Sequence, residues 1–345
     1  MTEIYLNNAG HGRPDASVLA RTRAHLAREA EIGPDRARDE VAEELDGLTH
    51  RLAGLMGANP ARVDFGYTTC AVWAEALLRL PLAGRRVLIA PHEWVDNVEL
   101  LARLGPQIGL VVEVLPELDL DAPNLDPWAA RIDADVVAIS LPHVTSVAGL
   151  RYPLEEIAAL PRPDDCRLLV DGAQGIGQVP LALEGSGVDL YTGTCRKWLR
   201  GPKQTAVIWC SEALGMAPQE LRPNDTHVGV RLGLARAVEM AADYPAELAP
   251  LSEHVRAKAA ALGLPCLSTP ASGTTAITIE VPLAAKDRVA AALTAEDILI
   301  KWPDAAADEP HSHLATERRA IIRIAPHVAN QAHEIDRLFE VIGRH

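Results

Sequence analysis

Short apolar runs recur through the middle of the chain, with stretches of helical spacing between them. They are nearly continuous in hydrophobic residues, rich in Val and Ile, and cover residues 87–90, 110–114, 135–141, 167–171, 188–192 and 206–210. Runs of this length and composition are typical of parallel strands buried on both faces. Their alternation with helices predicts an α/β fold built on a doubly wound, mostly parallel sheet.

The pattern changes on either side of this central region. Hydrophobic spacing of three and four residues predicts helices over 14–32, 37–58, 71–80, 228–243, 246–262, 284–294 and 331–342. Further strands are predicted over 274–281, 297–302 and 320–324, and the Pro-, Asp-, Ala- and His-rich stretch 303–319 is predicted to be a surface loop. We therefore expect two domains: residues 1–225, an N-terminal arm with a large domain, and residues 226–345, a smaller α/β domain.

Composition and charge narrow the range of partners. The chain has 33 Lys and Arg against 47 Asp and Glu, a net charge of −14, which disfavours nucleic acid or an anionic membrane as the main partner. It has no apolar run of about 18 residues and no basic, then apolar, N-terminus, so we expect neither a membrane span nor a signal peptide. The five cysteines are scattered without a CxxC pair, which favours a reducing cytoplasm over disulfides or a zinc cage.

Polar residues follow several of the predicted strands at the point where each strand ends. Asp171 ends the run 167–171, and the run 188–192 leads into hydroxyls, Arg196 and Lys197. The carboxyl ends of parallel strands meet at one edge of a sheet, where α/β proteins bind ligands. A carboxylate and an amine held together there suit an enzyme that carries an aldehyde cofactor as a Schiff base.

Each of these residues also has a purely structural interpretation. Lys197 could be an ordinary surface lysine, although a neighbouring cation such as Arg196 lowers a lysine pKa and favours a nucleophilic amine. Asp171 could cap a turn, or could pair with a protonated pyridine nitrogen and keep a cofactor ring an electron sink. Gln174, one turn further on, could donate a hydrogen bond to a phenolic oxygen of such a ring.

Hydroxyls and an aromatic residue near the same edge could complete a cofactor site. Thr68 and Thr69 precede a helix, where they could hold a phosphate or simply cap the helix. Thr194 and Arg196 would supply further phosphate donors. Trp94 could belong to the core, or could stack on a planar ring.

Arg323 lies inside the apolar run 320–324. A buried arginine needs an anionic partner, either a substrate carboxylate or a structural Asp or Glu.

Two other sequence patterns give only weak evidence for a binding site. The glycines of residues 172–177 depart from GxGxxG and are followed by Pro180, which disfavours a dinucleotide site. The pair His311 and His313 has no third ligand in view, so no metal site is predicted.

Together these residues resemble the class V aminotransferase family of pyridoxal-phosphate enzymes, relatives of the cysteine desulfurases. The resemblance extends over nearly the whole chain and is carried by residues 5–9, 91–97, 143–149, 171–174, 194–202 and 323–328. It implies the type I fold of pyridoxal-phosphate-dependent transferases, with a mostly parallel seven-stranded sheet in the large domain. It also implies a homodimer with active sites at the interface. Within the family, residues 29–31 and 275–278 and the lysine loop are most similar to hercynylcysteine sulfoxide lyases, the C–S lyases of ergothioneine biosynthesis.

The resemblance also assigns roles to residues. It implies pyridoxal 5'-phosphate as cofactor, Lys197 as its Schiff-base lysine and Asp171 as the second catalytic residue. The other cofactor-binding residues it implies are Thr68, Thr69, Trp94, Ser146, Gln174, Thr194, Arg196 and Thr226. Asn8, His11 and Arg323 would bind a small amino-acid-type substrate. The stretch between Trp209 and Gly229 is shorter than usual in the family, and Ser146 stands where an Asn is common.

The leading functional hypothesis is a C–S lyase acting on a cysteine conjugate or cysteine sulfoxide such as hercynylcysteine sulfoxide, releasing pyruvate and ammonia. A cysteine desulfurase needs a mobile cysteine shortly before its C-terminal arginine, and no cysteine follows Cys266 here. The alternatives are an aminotransferase or epimerase of secondary metabolism, and a non-catalytic binding protein of the same fold. The presence of Lys197, Asp171 and Arg323 argues against the last of these.

Overall fold

The computed structural model describes residues 3–223 and 225–345. Its strands are β1 (Ile4–Tyr5), β2 (Val63–Gly66), β3 (Arg86–Ile89), β4 (Val111–Val114), β5 (Val136–Pro142), β6 (Arg167–Asp171), β7 (Leu190–Thr194), β8 (Ala206–Cys210), β9 (Ile277–Val281), β10 (Ile298–Leu299) and β11 (Ala320–Ile324). Its helices are α1 (Ala16–Ile32), α2 (Pro34–Asp39), α3 (Ala42–Met56), α4 (Thr69–Leu78), α5 (Val95–Ile108), α6 (Asp126–Ala129), α7 (Leu154–Ala158), α8 (Val228–Glu239), α9 (Tyr244–Ala261), α10 (Lys286–Ala295), α11 (Ala305–Asp308) and α12 (Ala332–Gly343).

A seven-stranded sheet with the order β2-β8-β7-β6-β5-β3-β4 forms the centre of the fold. The pairs from β7 through β6, β5 and β3 to β4 are parallel, whereas β8 runs antiparallel to β7 and β2 antiparallel to β8. Every residue of β5, β7 and β8 is buried, as expected for strands covered on both faces. The predicted α/β fold with a mostly parallel sheet is confirmed.

Two local features differ from the predicted elements. Residues 63–66 form the edge strand β2, although so short a run gave no strand signal of its own. The helix predicted over 37–58 is two helices, α2 and α3, because the chain leaves helical geometry at Val41 (φ −117°, ψ 13°). None of the helices in the described ranges is long and apolar enough to cross a membrane.

The prediction that residues 303–319 form a surface loop is wrong in part. The segment contains α11, and Glu309 is completely buried. The Glu309 carboxylate accepts hydrogen bonds from the backbone N–H groups of Ser146 (2.5 Å) and Val147 (2.9 Å). Leu314 packs with Val147 in a small apolar cluster. Because the segment is polar in composition, the sequence did not indicate that Glu309 is buried and accepts hydrogen bonds from the backbone of residues 146 and 147.

Three large apolar clusters stabilise the chain. The largest packs on one face of the central sheet and includes Leu234 and Val238 of α8, which packs against α1 and α3. Another packs α4 and α5 against the opposite face of the sheet. The third is formed by β9, β11, α10, α12 and the C-terminal half of α9, and it also takes in Leu6 beside β1. The domain division at residues 225 and 226 stays a prediction. Any division has to accommodate α8, which follows residue 225 but packs with the large core.

We expect Glu309→Ala to lower the free energy of unfolding by about 1–3 kcal/mol, because two buried N–H groups lose their acceptor. Glu309→Gln keeps an acceptor oxygen and should lose less. Glu317→Ala, at an exposed position of the same segment, is the matched control and should stay within about 0.5 kcal/mol of the parent. Urea unfolding followed by circular dichroism measures all three variants. Equal stability of Glu309→Ala and Glu317→Ala would contradict the structural role of Glu309.

Candidate functional site

A cavity of about 560 Å³ opens at the carboxyl ends of the parallel strands. It is bounded by the residues that end β5, β6 and β7, by the loop after β3, by the N-terminal arm and by residues of the C-terminal part. The predicted site residues that line it are His11, Thr68, Thr69, Trp94, Ser146, Asp171, Gln174, Thr194, Arg196, Lys197 and Arg323. Two predicted residues, Asn8 and Thr226, do not.

The sheet places Asp171 and Lys197 next to each other. Asp171 is the last residue of β6, which pairs in parallel with β7, and Lys197 lies three residues beyond the end of β7. The N-terminal arm crosses this loop, where the N–H of Gly12 donates to the carbonyl of Arg196 (2.8 Å). A Cβ at position 12 would collide with the Lys197 carbonyl oxygen, so only glycine allows this close approach.

Burial changes the acid–base behaviour of the Lys197 amine. The side chain is buried, and desolvation lowers its pKa to about 7, a direction that nearby Arg196 and Arg323 reinforce and Asp171 opposes. Its Nζ lies 5.9 Å from the centroid of the Trp94 ring. A substantial fraction of this amine is therefore neutral near pH 7, the form that acts as a nucleophile or a base.

Asp171, which lies next to Lys197 at the sheet edge, is buried as well. Burial raises its pKa, whereas a hydrogen bond from the Ala173 N–H (2.7 Å) and the charge of Lys197 oppose the rise. The amide of Gln174 already has protein partners: its Nε2 donates to the Ala9 carbonyl (2.9 Å), and its Oε1 accepts from the Trp198 indole (2.9 Å). Gln174 therefore holds the N-terminal arm in place as well as lining the cavity.

Trp94 is positioned by a buried acid that the sequence analysis did not assign. The Trp94 N–H donates to Glu93 Oε1 (2.9 Å), and Asn97 and Ser140 donate to the same carboxylate. Glu93 has no exposed surface, and its burial raises its pKa to about 7. Its place directly after the strand end and before Trp94 was the only sequence signal for this role.

Hydroxyl and cationic groups gather at the N-terminus of α4. Thr68 is the N-cap, with its hydroxyl accepting from the Ala71 N–H (3.1 Å), so its structural interpretation holds. The buried hydroxyl of Thr69 has no hydrogen-bond partner in the described part of the chain. Arg196 donates to the Gly10 carbonyl. A free hydroxyl, a helix N-terminus and a guanidinium around one cavity suit a phosphate group.

Arg323 lines the cavity from β11, on the side of the C-terminal part. One of its terminal nitrogens donates to the carbonyl (2.5 Å) and hydroxyl (3.2 Å) of Ser146. Its buried Nε has no hydrogen-bond partner among the described residues. Burial lowers the pKa of the guanidinium to about 10, and the nearby charges of Asp308 and Glu309 oppose this shift. The guanidinium therefore keeps a free N–H donor in the cavity that can bind a ligand carboxylate. Lys301 and Asp308, which the sequence analysis missed, line the cavity as well.

Asn8 and Thr226 lie outside this cavity. The amide of Asn8 donates to the Ala325 carbonyl (2.8 Å), and its neighbour Asn7 lines the cavity instead. Residues 8–10 form a turn, in which the Asn7 carbonyl accepts from the N–H groups of Gly10 (3.0 Å) and His11 (3.1 Å). Thr226 lines an adjacent cavity that shares Tyr67, Thr68 and Gln204 with the first.

A large part of this chain matches a known protein family. Residues 4–226 match the family model described as aminotransferase class-V. A probable hercynylcysteine sulfoxide lyase of Mycobacterium tuberculosis is 31% identical over 210 residues, which cover 59% of this chain and 50% of that protein. An isopenicillin N epimerase of Amycolatopsis lactamdurans is 30% identical over 188 residues, which cover 52% and 46%. The chain thus spans about half the length of the curated relatives it matches.

Solved structures share the fold at low sequence identity. A cystine C–S lyase in complex with its reaction product, cysteine persulfide, superposes with a TM-score of 0.86 at 19% identity, covering 99% of this chain and 97% of that one. A mutant of that lyase has glycine covalently linked to its PLP cofactor, with a TM-score of 0.85 at 18% identity and coverage of 99% and 96%.

We expect Lys197 to titrate near pH 7 in the ligand-free protein, because its pKa is lowered to about 7 by burial. Competitive acetylation with limiting reagent across a pH series, read by mass spectrometry, gives the midpoint for each lysine. Exposed lysines in general titrate near pH ~10.4. Asp171→Asn should move the Lys197 midpoint lower, since the carboxylate favours the protonated amine. A Lys197 profile that coincides with those of exposed lysines would contradict the assignment.

Proposed function

The chain belongs to the class V aminotransferase family, whose enzymes use pyridoxal 5'-phosphate, and we propose that it is a C–S lyase acting on a cysteine conjugate or cysteine sulfoxide. The observation that carries the proposal is that the amine of Lys197 and the guanidinium of Arg323, whose Nε has no partner among the described residues, line one cavity. An amino acid whose carboxylate is held by Arg323 would thus occupy the cavity that contains a base. Hercynylcysteine sulfoxide is the substrate we propose, from the likeness to the mycobacterial lyase.

The residues of the cavity fit this cofactor. Lys197 would hold its aldehyde carbon, Asp171 its pyridine nitrogen and the half-buried Trp94 the face of its ring. The unpartnered hydroxyl of Thr69 and the guanidinium of Arg196 would hold its phosphate. When bound, the cofactor supplies an electron sink for negative charge that develops at the substrate α-carbon.

Side chains of the protein would transfer the proton, bind the substrate carboxylate and stabilise the charge on the ring. Lys197, whose pKa of about 7 matches a neutral operating pH, would take the α-proton as general base. Arg323 would bind and orient the α-carboxylate, and Asp171 would keep a compensating negative charge beside the ring nitrogen. The bond between sulfur and the β-carbon then breaks, and sulfur leaves with the bonding electron pair. Water is consumed, and the remaining carbon skeleton leaves as pyruvate and its nitrogen as ammonia.

Desulfuration through a protein persulfide is not the reaction we propose. Cys70 lines the cavity, but burial and the nearby carboxylates of Asp171 and Asp96 raise its pKa well above the usual thiol range. Its thiol lies 3.4 Å from the Asp96 carboxylate. No cysteine follows Cys266 along the chain. A thiolate that could take sulfur from the substrate is therefore lacking in the described part of this cavity.

We also propose that the active form is a cytoplasmic homodimer. Tyr67 lines both the main cavity and the adjacent one that contains Thr226, and its ring is one of the exposed large hydrophobic side chains. A second copy covering this region would shield the mouth of the cavity. All five cysteines are free thiols, in keeping with a reducing compartment.

Incubation of the holoenzyme with hercynylcysteine sulfoxide and simpler cysteine conjugates should release pyruvate and ammonia in equal amounts. A lactate dehydrogenase-coupled assay follows the pyruvate. Lys197→Ala should lower the rate by at least about 10²–10⁴-fold, whereas Lys258→Ala, outside the cavity, should not. Accumulation of the pyridoxamine form without pyruvate would instead identify an aminotransferase. Inversion at the α-carbon without pyruvate would identify an epimerase, the activity named for the Amycolatopsis relative.

Arg323→Gln should raise KM for an α-amino acid substrate by about 10- to 100-fold, because a charge-assisted hydrogen bond to the carboxylate is lost. A cysteamine conjugate, which lacks that carboxylate, should bind equally well to parent and variant. Arg319→Gln, which removes an exposed arginine paired with Glu280 and Glu317, is the matched control. Equal effects of Arg323→Gln on both ligands would show that Arg323 does not recognise the carboxylate.

A further inference from the structure

Two histidines and a glutamate from three distant parts of the chain converge beside the cavity. His92 and Glu117 lie three residues beyond the ends of β3 and β4, which are adjacent parallel strands with Ile89 opposite Val114. The equal offset brings both side chains to the same point of the sheet edge. His313, from the segment 303–319, closes the group. One potential ligand atom from each of the three residues lies within 4.8 Å of the others.

The distances within the group are short. Glu117 Oε1 lies 3.0 Å from His92 Nε2 and 2.7 Å from His313 Nδ1. The three residues therefore present two nitrogen donors and one anionic oxygen donor around a common point.

The buried ring of His92 has an unused nitrogen directed at this group. His92 is only 2% exposed, and its Nε2, which lies 3.0 Å from the Glu117 carboxylate, has no hydrogen-bond partner among the described residues. Its other nitrogen, Nδ1, lies 2.7 Å from the hydroxyl of Tyr152. Metal-bound histidines use their second ring nitrogen in this way, which fixes the tautomer and leaves the first nitrogen free for the ion.

We propose that His92, Glu117 and His313 form a binding site for a divalent transition-metal ion, with Zn²⁺ as the ion that this donor set favours. Imidazole nitrogen with one carboxylate oxygen suits Zn²⁺ and its neighbours in the first row, whereas Mg²⁺ and Ca²⁺ prefer oxygen ligands alone. Three protein ligands leave the fourth position of a tetrahedral ion to water.

The ion would anchor the segment 303–319 to the central sheet. That segment also carries Asp308, which lines the cavity, and Glu309, whose carboxylate holds the backbone of Ser146. His92 lines the cavity too. A metal at this position would therefore order the wall of the cavity next to Arg323, and its role would be structural. The site does not depend on which reaction the cavity performs.

The sequence analysis considered His311 and His313 together and found no third ligand. The structure separates the two: His313 joins the group, whereas His311 is exposed outside it. His311→Gln is therefore a matched control for His313→Gln, since it removes an exposed imidazole from the same turn.

The test is calorimetric titration of the untagged, metal-free holoenzyme with Zn²⁺, together with melting curves with and without the ion. We expect one Zn²⁺ per chain and a raised Tm in the parent and in His311→Gln. His313→Gln and Glu117→Gln should each weaken binding by about 100-fold or more and abolish the rise in Tm. Tyr152→Phe, which removes only the partner of His92 Nδ1, should weaken binding by about 10- to 100-fold.

Absence of Zn²⁺ binding by the parent would overturn the proposal and leave the group as a hydrogen-bonded ion pair. Equal binding by the parent, His313→Gln and Glu117→Gln would overturn it as well, because the ion would then lie elsewhere. Retention of the cofactor absorption band and of the metal-free Tm shows that each variant is folded. His313 and Glu117 are both partly exposed, so the two substitutions are independent checks that the fold should tolerate.

Discussion

The burial of an amine beside a carboxylate is the constraint on which this structure depends. Lys197 and Asp171 are both removed from water, and burial pushes each toward its neutral form while the charge of the other opposes the shift. A lysine whose folded pKa is about 7 binds fewer protons than the same lysine in the unfolded chain. Between that pH and the ordinary lysine value of about 10.4, stability therefore rises with pH, and below it the full cost of burying the amine remains. The apolar clusters around the sheet offset this cost.

The walls around that pair come from parts of the chain that are far apart in sequence. The N-terminal arm reaches the lysine loop only because residue 12 is glycine. On the opposite side, Glu309 holds the backbone of Ser146, and Ser146 in turn accepts hydrogen bonds from Arg323. The orientation of the guanidinium thus depends on a buried carboxylate in the segment 303–319. The proposed metal site would anchor the same segment at a second point, so both contacts bear on how this side of the cavity recognises a substrate.

The proximity of Asp171 and Lys197 could be predicted because each of them follows a continuous apolar run. Parallel strands end at the same edge of a sheet, so the sequence predicts that these two residues lie close together. Side chains in extended or irregular backbone were harder to place. Asn8 was predicted to bind substrate, but it lies in a turn and its amide donates to the Ala325 carbonyl, whereas Asn7 lines the cavity. Glu309 lies in a stretch whose composition is that of an exposed loop, and its burial follows from two N–H groups elsewhere in the chain.

The sequence by itself determined the α/β architecture, the family and the gathering of polar residues at one edge of the sheet, because local hydrophobic patterns and short motifs encode them. Only the tertiary structure decided which polar groups are left without partners. Among the described residues, none offers a hydrogen-bond partner to the Nε of Arg323, the hydroxyl of Thr69 or the Nε2 of His92. The convergence of His92 with Glu117 and His313 likewise depends on strand register and on the packing of a remote segment. Such relations between distant residues are set by the packed fold and leave no local pattern in the sequence.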